Sequence, residues 1–108
     1  MNININAKDI DFNKHLIVDI RTQEEIDEFS LEDTLLYPID FNTADEETIK
    51  KDFDEIIKNN SKTLVIMCRS GARSAFLCEF LNQKEKIALN LLGGIIAMCQ
   101  NYPDKVKN

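Results

Sequence analysis

The chain has 108 residues, 44% of them apolar and 30% charged. These are ordinary globular proportions, and a chain of this length can bury a core without metal or disulfide staples. Lysine and arginine number 13 against 19 aspartates and glutamates, a net charge of -6, which speaks against a nucleic-acid partner, since phosphates want a basic face. No apolar run approaches the roughly 20 residues of a bilayer span. Met1-Asn2-Ile3-Asn4-Ile5 has no basic segment ahead of a long apolar stretch. One domain over residues 1–108 is therefore expected, cytoplasmic and without a membrane partner.

Residues 3–10 are polar and suggest a short edge strand or a lead-in. Leu16-Ile17-Val18-Asp19-Ile20 is short, apolar and β-branched, which suits a buried strand. Thr22-Gln23-Glu24-Glu25 reads as a capping box that opens a short helix to about Phe29, with Ile26 and Phe29 facing inward. Leu35-Leu36-Tyr37-Pro38-Ile39 predicts a second strand, which its proline places at a strand end or sheet edge. Thr43-Ala44-Asp45-Glu46 reads as another capping box, and Ile49, Phe53, Ile56 and Ile57 after it fall on one helical face. Thr63-Leu64-Val65-Ile66-Met67 is the strongest strand signal. After the polar turn Cys68-Arg69-Ser70-Gly71-Ala72-Arg73, a helix from Ser74 to about Asn82 is apolar nearly all round and is expected to be mostly buried. Ala88-Leu89-Asn90-Leu91 gives a last strand, Leu92-Gly93-Gly94 a turn, and Ile95 to about Cys99 a final short helix before a polar tail. Strands alternating with helices predict an α/β fold: a mostly parallel central sheet with helices on both faces, and sites beyond the carboxyl ends of the strands.

The cysteines are Cys68, Cys78 and Cys99. Their odd number argues against a disulfide framework, and their spacings of ten and twenty-one match no zinc pattern. The only histidine, His15, precedes a strand and reads as a surface residue. No metal is expected. Cys78 reads as core, and so does Cys99, the alternative for Cys99 being a second thiol that reaches the pocket. The three arginines are Arg21, Arg69 and Arg73, and two of them flank Gly71 just after Cys68. A strand, a tight loop and a helix start can turn several unpaired backbone N–H groups onto an anion. Gly71 permits the backbone angles this needs, and arginine suits oxyanions better than lysine does. A cysteine in that cradle has its thiolate stabilised, so Cys68 is expected to be a reactive nucleophile.

Three segments resemble the single-domain rhodanese-like sulfurtransferases. Leu16 to Arg21, with the capped helix from Thr22 to Ile26, is similar to the family's early Asp-x-Arg strand and helix. Val65-Ile66-Met67-Cys68-Arg69-Ser70-Gly71-Ala72-Arg73-Ser74 resembles its active-site loop. Asn90 to Ala97 is similar to its closing Gly-Gly segment. The resemblance implies a rhodanese-like three-layer domain and a sulfurtransferase without metal or organic cofactor. Cys68 would take sulfane sulfur from a donor such as thiosulfate as a persulfide and pass it to cyanide, a thiol or a sulfur-carrier protein. Main-chain N–H groups from Arg69 through Ser70, Gly71 and Ala72 to Arg73 would stabilise the persulfide, and Arg69 would bind the donor's oxyanion. Asp19 and Arg21, charged groups at the end of an apolar strand, are expected to be paired near the loop, with Asp19 holding Arg73. Gly93 and Gly94 are expected to let backbone pass close beneath the loop.

Two features depart from the family. Ser30-Leu31-Glu32-Asp33-Thr34 stands where many relatives carry Gly-His-Ile-x-Gly-Ala, and Met98 stands where an aromatic residue is common. Two other readings compete. One is a non-catalytic binding or regulatory module, in which such domains usually lose the cysteine. The other is a cysteine phosphatase or arsenate reductase. Phosphatases place arginine six positions after the cysteine, whereas Arg73 is five after Cys68.

Overall fold

The computed structural model describes residues 3–108. Its centre is the strand with the strongest apolar signal, Thr63–Met67 (β5). His15–Asp19 (β2) pairs along one side of it, placing Ile17 opposite Val65. Ala88–Leu91 (β6) pairs along the other. Asn4–Ile5 (β1) and Thr34–Leu36 (β4) form the edges of a five-stranded sheet, ordered β1-β6-β5-β2-β4 and parallel throughout. A parallel sheet needs cover on both faces, which is why its inner strands read as unbroken apolar runs.

Alternation along the strands divides the core in two. Val18, Leu64 and Ile66 point to one face, where they meet Ile49 and Phe53 of Glu46–Lys58 (α2) and Leu77, Cys78 and Leu81 of Ala72–Leu81 (α3). Ile17, Val65, Met67 and Leu91 point to the other, against Ile95 and Met98 of Gly94–Asn101 (α4) and Ala7 of a short 3-10 turn. The layers are thus helix, sheet, helix, as the sequence predicts.

Several boundaries differ from the reading above. The second capping box does not form: Asp40 accepts the amides of Asn42 and Thr43, which spends these residues on a turn, and α2 starts after Asp45 instead. β4 covers residues 34–36 rather than 35–39, because Tyr37 makes its main-chain bond to Asp19 O and Pro38 has no N–H to continue the ladder. α3 is less buried than its composition suggests. Phe76 stands 65% exposed, edge-on to Phe41. His15 begins β2 and is half-buried, its Nδ1 accepting the Asp11 amide. Ser30–Leu31 (β3) and Val106–Lys107 (β7) form an antiparallel ribbon that the sequence did not signal.

Gln23–Glu28 (α1) opens on the predicted capping box: Thr22 Oγ1 accepts the Glu25 amide and Glu25 Oε1 accepts the Thr22 amide. Its far end is held by Arg21, whose guanidinium donates to Glu25 O at 3.1 Å and Phe29 O at 2.8 Å. The same guanidinium forks onto Asp19, with Nη2 to Oδ2 at 2.9 Å and Nε to Oδ1 at 3.1 Å. Asp19 is fully buried and Arg21 is 2% exposed. Asp19 therefore holds Arg21 rather than Arg73.

A buried ion is tolerated only while its partner remains. Arg21→Ala should cost about 3–5 kcal/mol in denaturant unfolding. Arg21→Met combined with Asp19→Asn should cost less than the two single changes together, since neither charge is then stranded. Additive losses would show that the two side chains act independently.

Candidate functional site

Cys68 follows β5 directly, at the carboxyl edge of the sheet, and the loop from it leads into α3. Gly71 caps α3 with φ +109°, an angle that disfavours any side chain. Beneath the loop runs the start of α4. The Ile95 amide donates to Cys68 O at 2.9 Å and the Ile96 amide to Arg69 O at 3.4 Å. A trans peptide sends its N–H opposite to its C=O. Drawing the Cys68 and Arg69 carbonyls down to α4 therefore turns the following amides upward, into the loop. Gly94 makes this approach possible: with φ +57°, a Cβ there would lie 2.5 Å from Cys68 O and clash with Arg69 O as well.

The Cys68 sulfur sits in the resulting bowl. Sγ accepts the Gly71 amide at 3.1 Å and the Ser74 amide at 3.4 Å, and the Ser74 hydroxyl lies 3.4 Å away. Burial raises the thiol pKa, but the Ser74 hydroxyl and the amides of Ser74, Gly71 and Ser70 outweigh it, so the net shift is downward. The other thiols move the opposite way. Burial, with the nearby Cys68 charge, pushes Cys78 up to about 12. Cys99, half-buried in α4, is also raised by burial.

The two loop arginines are used differently. Arg73 makes a two-pronged pair with Glu25, at 2.8 and 3.0 Å. Arg69 is exposed, and among the described residues no carboxylate pairs with it. The amides of Ser70 and Gly71 are thus directed at the sulfur, whereas those of Arg69, Ala72 and Arg73 make no hydrogen bond to it among the described residues. No group of three His, Cys, Asp or Glu side chains suited to a metal occurs among the described residues.

Three residues here were not singled out from the sequence. Ser74, fully buried, supplies both an amide and a hydroxyl to the sulfur. Its place six after Cys68, in the first turn of α3, was a usable signal. Glu25 had been assigned only to its helix cap, yet its carboxylate serves cap and Arg73 together. Asn90, buried in β6, touches Ser74 from behind, and nothing local in the sequence announces it.

The Arg73 hydrogen bonds lower the Glu25 pKa from 4.5 to about 2. A lowered acid stabilises the fold fully above its unfolded pKa and loses that contribution as pH falls through the folded value. Glu25→Gln should therefore destabilise the protein by about 1–2 kcal/mol at neutral pH, after allowance for solvent screening. The gap to the wild type should close between pH 4.5 and about 2. A difference that stays constant across that window in pH-dependent unfolding would contradict the pairing.

Comparison with known proteins places this geometry. The model of the family described as Rhodanese-like domain matches residues 4–101. A sulfurtransferase from Allochromatium vinosum is 40% identical over 87 residues, covering 80% of this chain and 73% of that protein. A rhodanese-like domain protein from Staphylococcus aureus superposes with TM-score 0.65 at 27% identity, over 91% of each chain. A rhodanese-related protein from Thermoplasma volcanium, 23% identical over 92% of each chain with TM-score 0.66, shares the fold. With α2 and α3 on one face of a parallel sheet, α4 on the other and a cysteine loop at the sheet's carboxyl edge, the chain belongs to the rhodanese-like domain family.

Proposed function

We propose that this protein is a sulfurtransferase that carries sulfane sulfur as a persulfide on Cys68. The observation that supports this reading is the set of donors on one sulfur: the amides of Gly71 and Ser74 and the Ser74 hydroxyl all face Sγ. Such a bowl favours the ionised form, and the thiolate is the nucleophile.

With thiosulfate as donor, the Cys68 thiolate attacks the outer sulfur. A Cys–S–S bond forms, the bond between the two donor sulfurs breaks, and sulfite leaves with that bond's electron pair. The negative charge now rests on the outer persulfide sulfur, one bond further out. The amides of Arg69, Ala72 and Arg73, which among the described residues make no hydrogen bond to Sγ, are the loop donors left to receive it. Cyanide or a thiolate then attacks that outer sulfur, and the pair of the S–S bond returns to Cys68. The products are thiocyanate or a new persulfide, and the enzyme is restored without metal or redox cofactor.

The arginines divide the work. Arg69, exposed and with no carboxylate partner among the described residues, binds the sulfonate end of the donor. Arg73, held by Glu25, adds fixed positive charge beside the loop. Its pairing also argues against phosphatase chemistry, where the loop arginine must fork onto the phosphoryl oxygens. An exposed rim leaves the acceptor free to be a small thiol or a thiol on a sulfur-carrier protein. Three unpaired cysteines suit the reducing cytoplasm.

Protein mixed with thiosulfate should gain the mass of one sulfur atom per chain, and Cys68→Ser should gain none, whereas Cys78→Ser and Cys99→Ser should still gain it. Uptake by Cys68→Ser would remove the mechanism. Failure of the wild type with every sulfane donor would leave a binding module. Arg69→Ala should lower kcat/KM for thiosulfate about 10- to 100-fold, the loss of one charge-assisted bond. Alkylation of Cys68 should weaken as pH falls below its lowered pKa, not below that of an ordinary thiol.

A further inference from the structure

Behind the Cys68 bowl lies a short polar chain in an otherwise apolar region. Ser74 Oγ is 3.4 Å from Cys68 Sγ, 2.5 Å from Asn90 Oδ1 and 3.2 Å from Gly71 O. Asn90 Nδ2 in turn donates to Asn4 Oδ1 at 3.2 Å, across the β6–β1 pair. Ser74 is fully buried and Asn90 is 3% exposed. A hydroxyl has one proton, and this one has three acceptors within reach.

The count decides the chemistry. When Cys68 is a thiol, its S–H can donate to Ser74 Oγ, and the Ser74 proton goes to Asn90 Oδ1. When Cys68 is a thiolate, the sulfur needs that proton. Ser74 must then turn toward Sγ, which leaves two oxygens, Ser74 Oγ and Asn90 Oδ1, facing each other without a proton between them. An unpaired buried acceptor is costly. A carboxamide has a remedy, since its oxygen and nitrogen ends are nearly the same shape. If Asn90 turns over, Nδ2 donates to Ser74 Oγ and Oδ1 takes the place of Nδ2 on the side of Asn4.

We propose that Asn90 is a positioning residue for Cys68: its side-chain amide sets the direction of the Ser74 hydroxyl proton and reverses when the sulfur gains or loses its charge. The inference rests on the Cys68 thiolate reading. It adds that the hydrogen-bond chain from Cys68 to Asn4 runs in opposite senses in the two states. A persulfide moves the charge to the outer sulfur, so each half-reaction reverses the chain. The side chain behind Ser74 must be able to present either a donor or an acceptor to it, which the carboxamide of Asn90 does by turning over and an ionised carboxylate cannot do.

The titratable groups that feel the Cys68 charge among the described residues are Arg73 and Cys78, both on α3, and neither is hydrogen-bonded to Asn90. The pH dependence of Cys68 alkylation by iodoacetamide, read in a protein that also carries Cys78→Ser and Cys99→Ser, therefore isolates the chain. This readout needs no sulfur donor, so it can fail while sulfur transfer stands, and the reverse. Asn90→Ala should raise the Cys68 pKa and slow alkylation below neutral pH about 3- to 10-fold. In a Ser74→Ala background the same change should have no effect. If Asn90 merely competed for the Ser74 proton, Asn90→Ala would lower the pKa and speed alkylation; that result, or an unchanged pKa, overturns the proposal. Should Asn90→Ala fail to fold, Asn90→Asp keeps the shape but, ionised, can only accept. It should raise the pKa more with Ser74 present than in Ser74→Ala. An equal rise in both backgrounds would be charge repulsion alone and would likewise overturn the proposal.

Discussion

A sulfur that is 1% exposed yet biased toward its charged form is the constraint around which this end of the molecule is built. Burial opposes an anion, and here it is offset mainly by fixed hydrogen-bond donors, with the Arg73 charge nearby. Main-chain N–H groups can supply it if their carbonyls are satisfied elsewhere. The start of α4 does this for the Ser70 amide, whose peptide carbonyl, Arg69 O, is taken by the Ile96 amide, while the Ile95 amide takes Cys68 O. These amides have no partner within their own helix. One contact thus satisfies the helix end and orients the loop. It also explains why Gly94 bears no side chain: the two backbones are too close for a Cβ.

The second support comes from the β2 side. Asp19 and Arg21 neutralise each other in the interior, and Arg21 spends its remaining donors on carbonyls of α1 and of Phe29 just after it. That fixes α1, whose Glu25 then reaches Arg73. The charges form a sequence, Asp19 to Arg21 and Glu25 to Arg73, joined through the helix rather than by direct contact. An acidic protein can in this way keep a cation beside the sulfur without leaving it free to collapse onto the thiolate. Arg69, on the open side, carries no such restraint.

Much of this was legible in the residues. β2 and β5 fall where their apolar β-branched runs lie, and β6 where the short apolar run Ala88 to Leu91 lies. The Thr22–Glu25 box formed as read because its partners are three residues apart. The place of Cys68 between a strand and a helix was legible for the same reason, though Ser74, six residues on, was not read as a donor to it. What was not legible depends on long-range partners or on competition. Thr43 lost its capping role to the Asp40 turn. Asp19 was expected to hold Arg73, but Arg21, two residues away, occupies both of its oxygens. The β3–β7 ribbon joins segments more than seventy residues apart, and neither strand is long or apolar enough to show itself alone.

The size of the bowl bears on which chemistry it can serve. Gly71 N and Ser74 N converge on a single atom, and Ser74 and Asn90 close the space behind it. A thiolate fits there with its charge fully met. A phosphoryl group would need several oxygens bound at once and an arginine able to fork onto them, but Arg73 is already forked onto Glu25. A persulfide makes a smaller demand. On the proposed mechanism it extends the sulfur by one atom and moves the charge with it, so the demand on the donors to Sγ falls. A rigid row of amides cannot adjust to that change, because each N–H points one way in every state. On the proposal above, that adjustment falls to the hydroxyl of Ser74 and the side-chain amide of Asn90 behind it, the side-chain donors in contact with the sulfur and its neighbour.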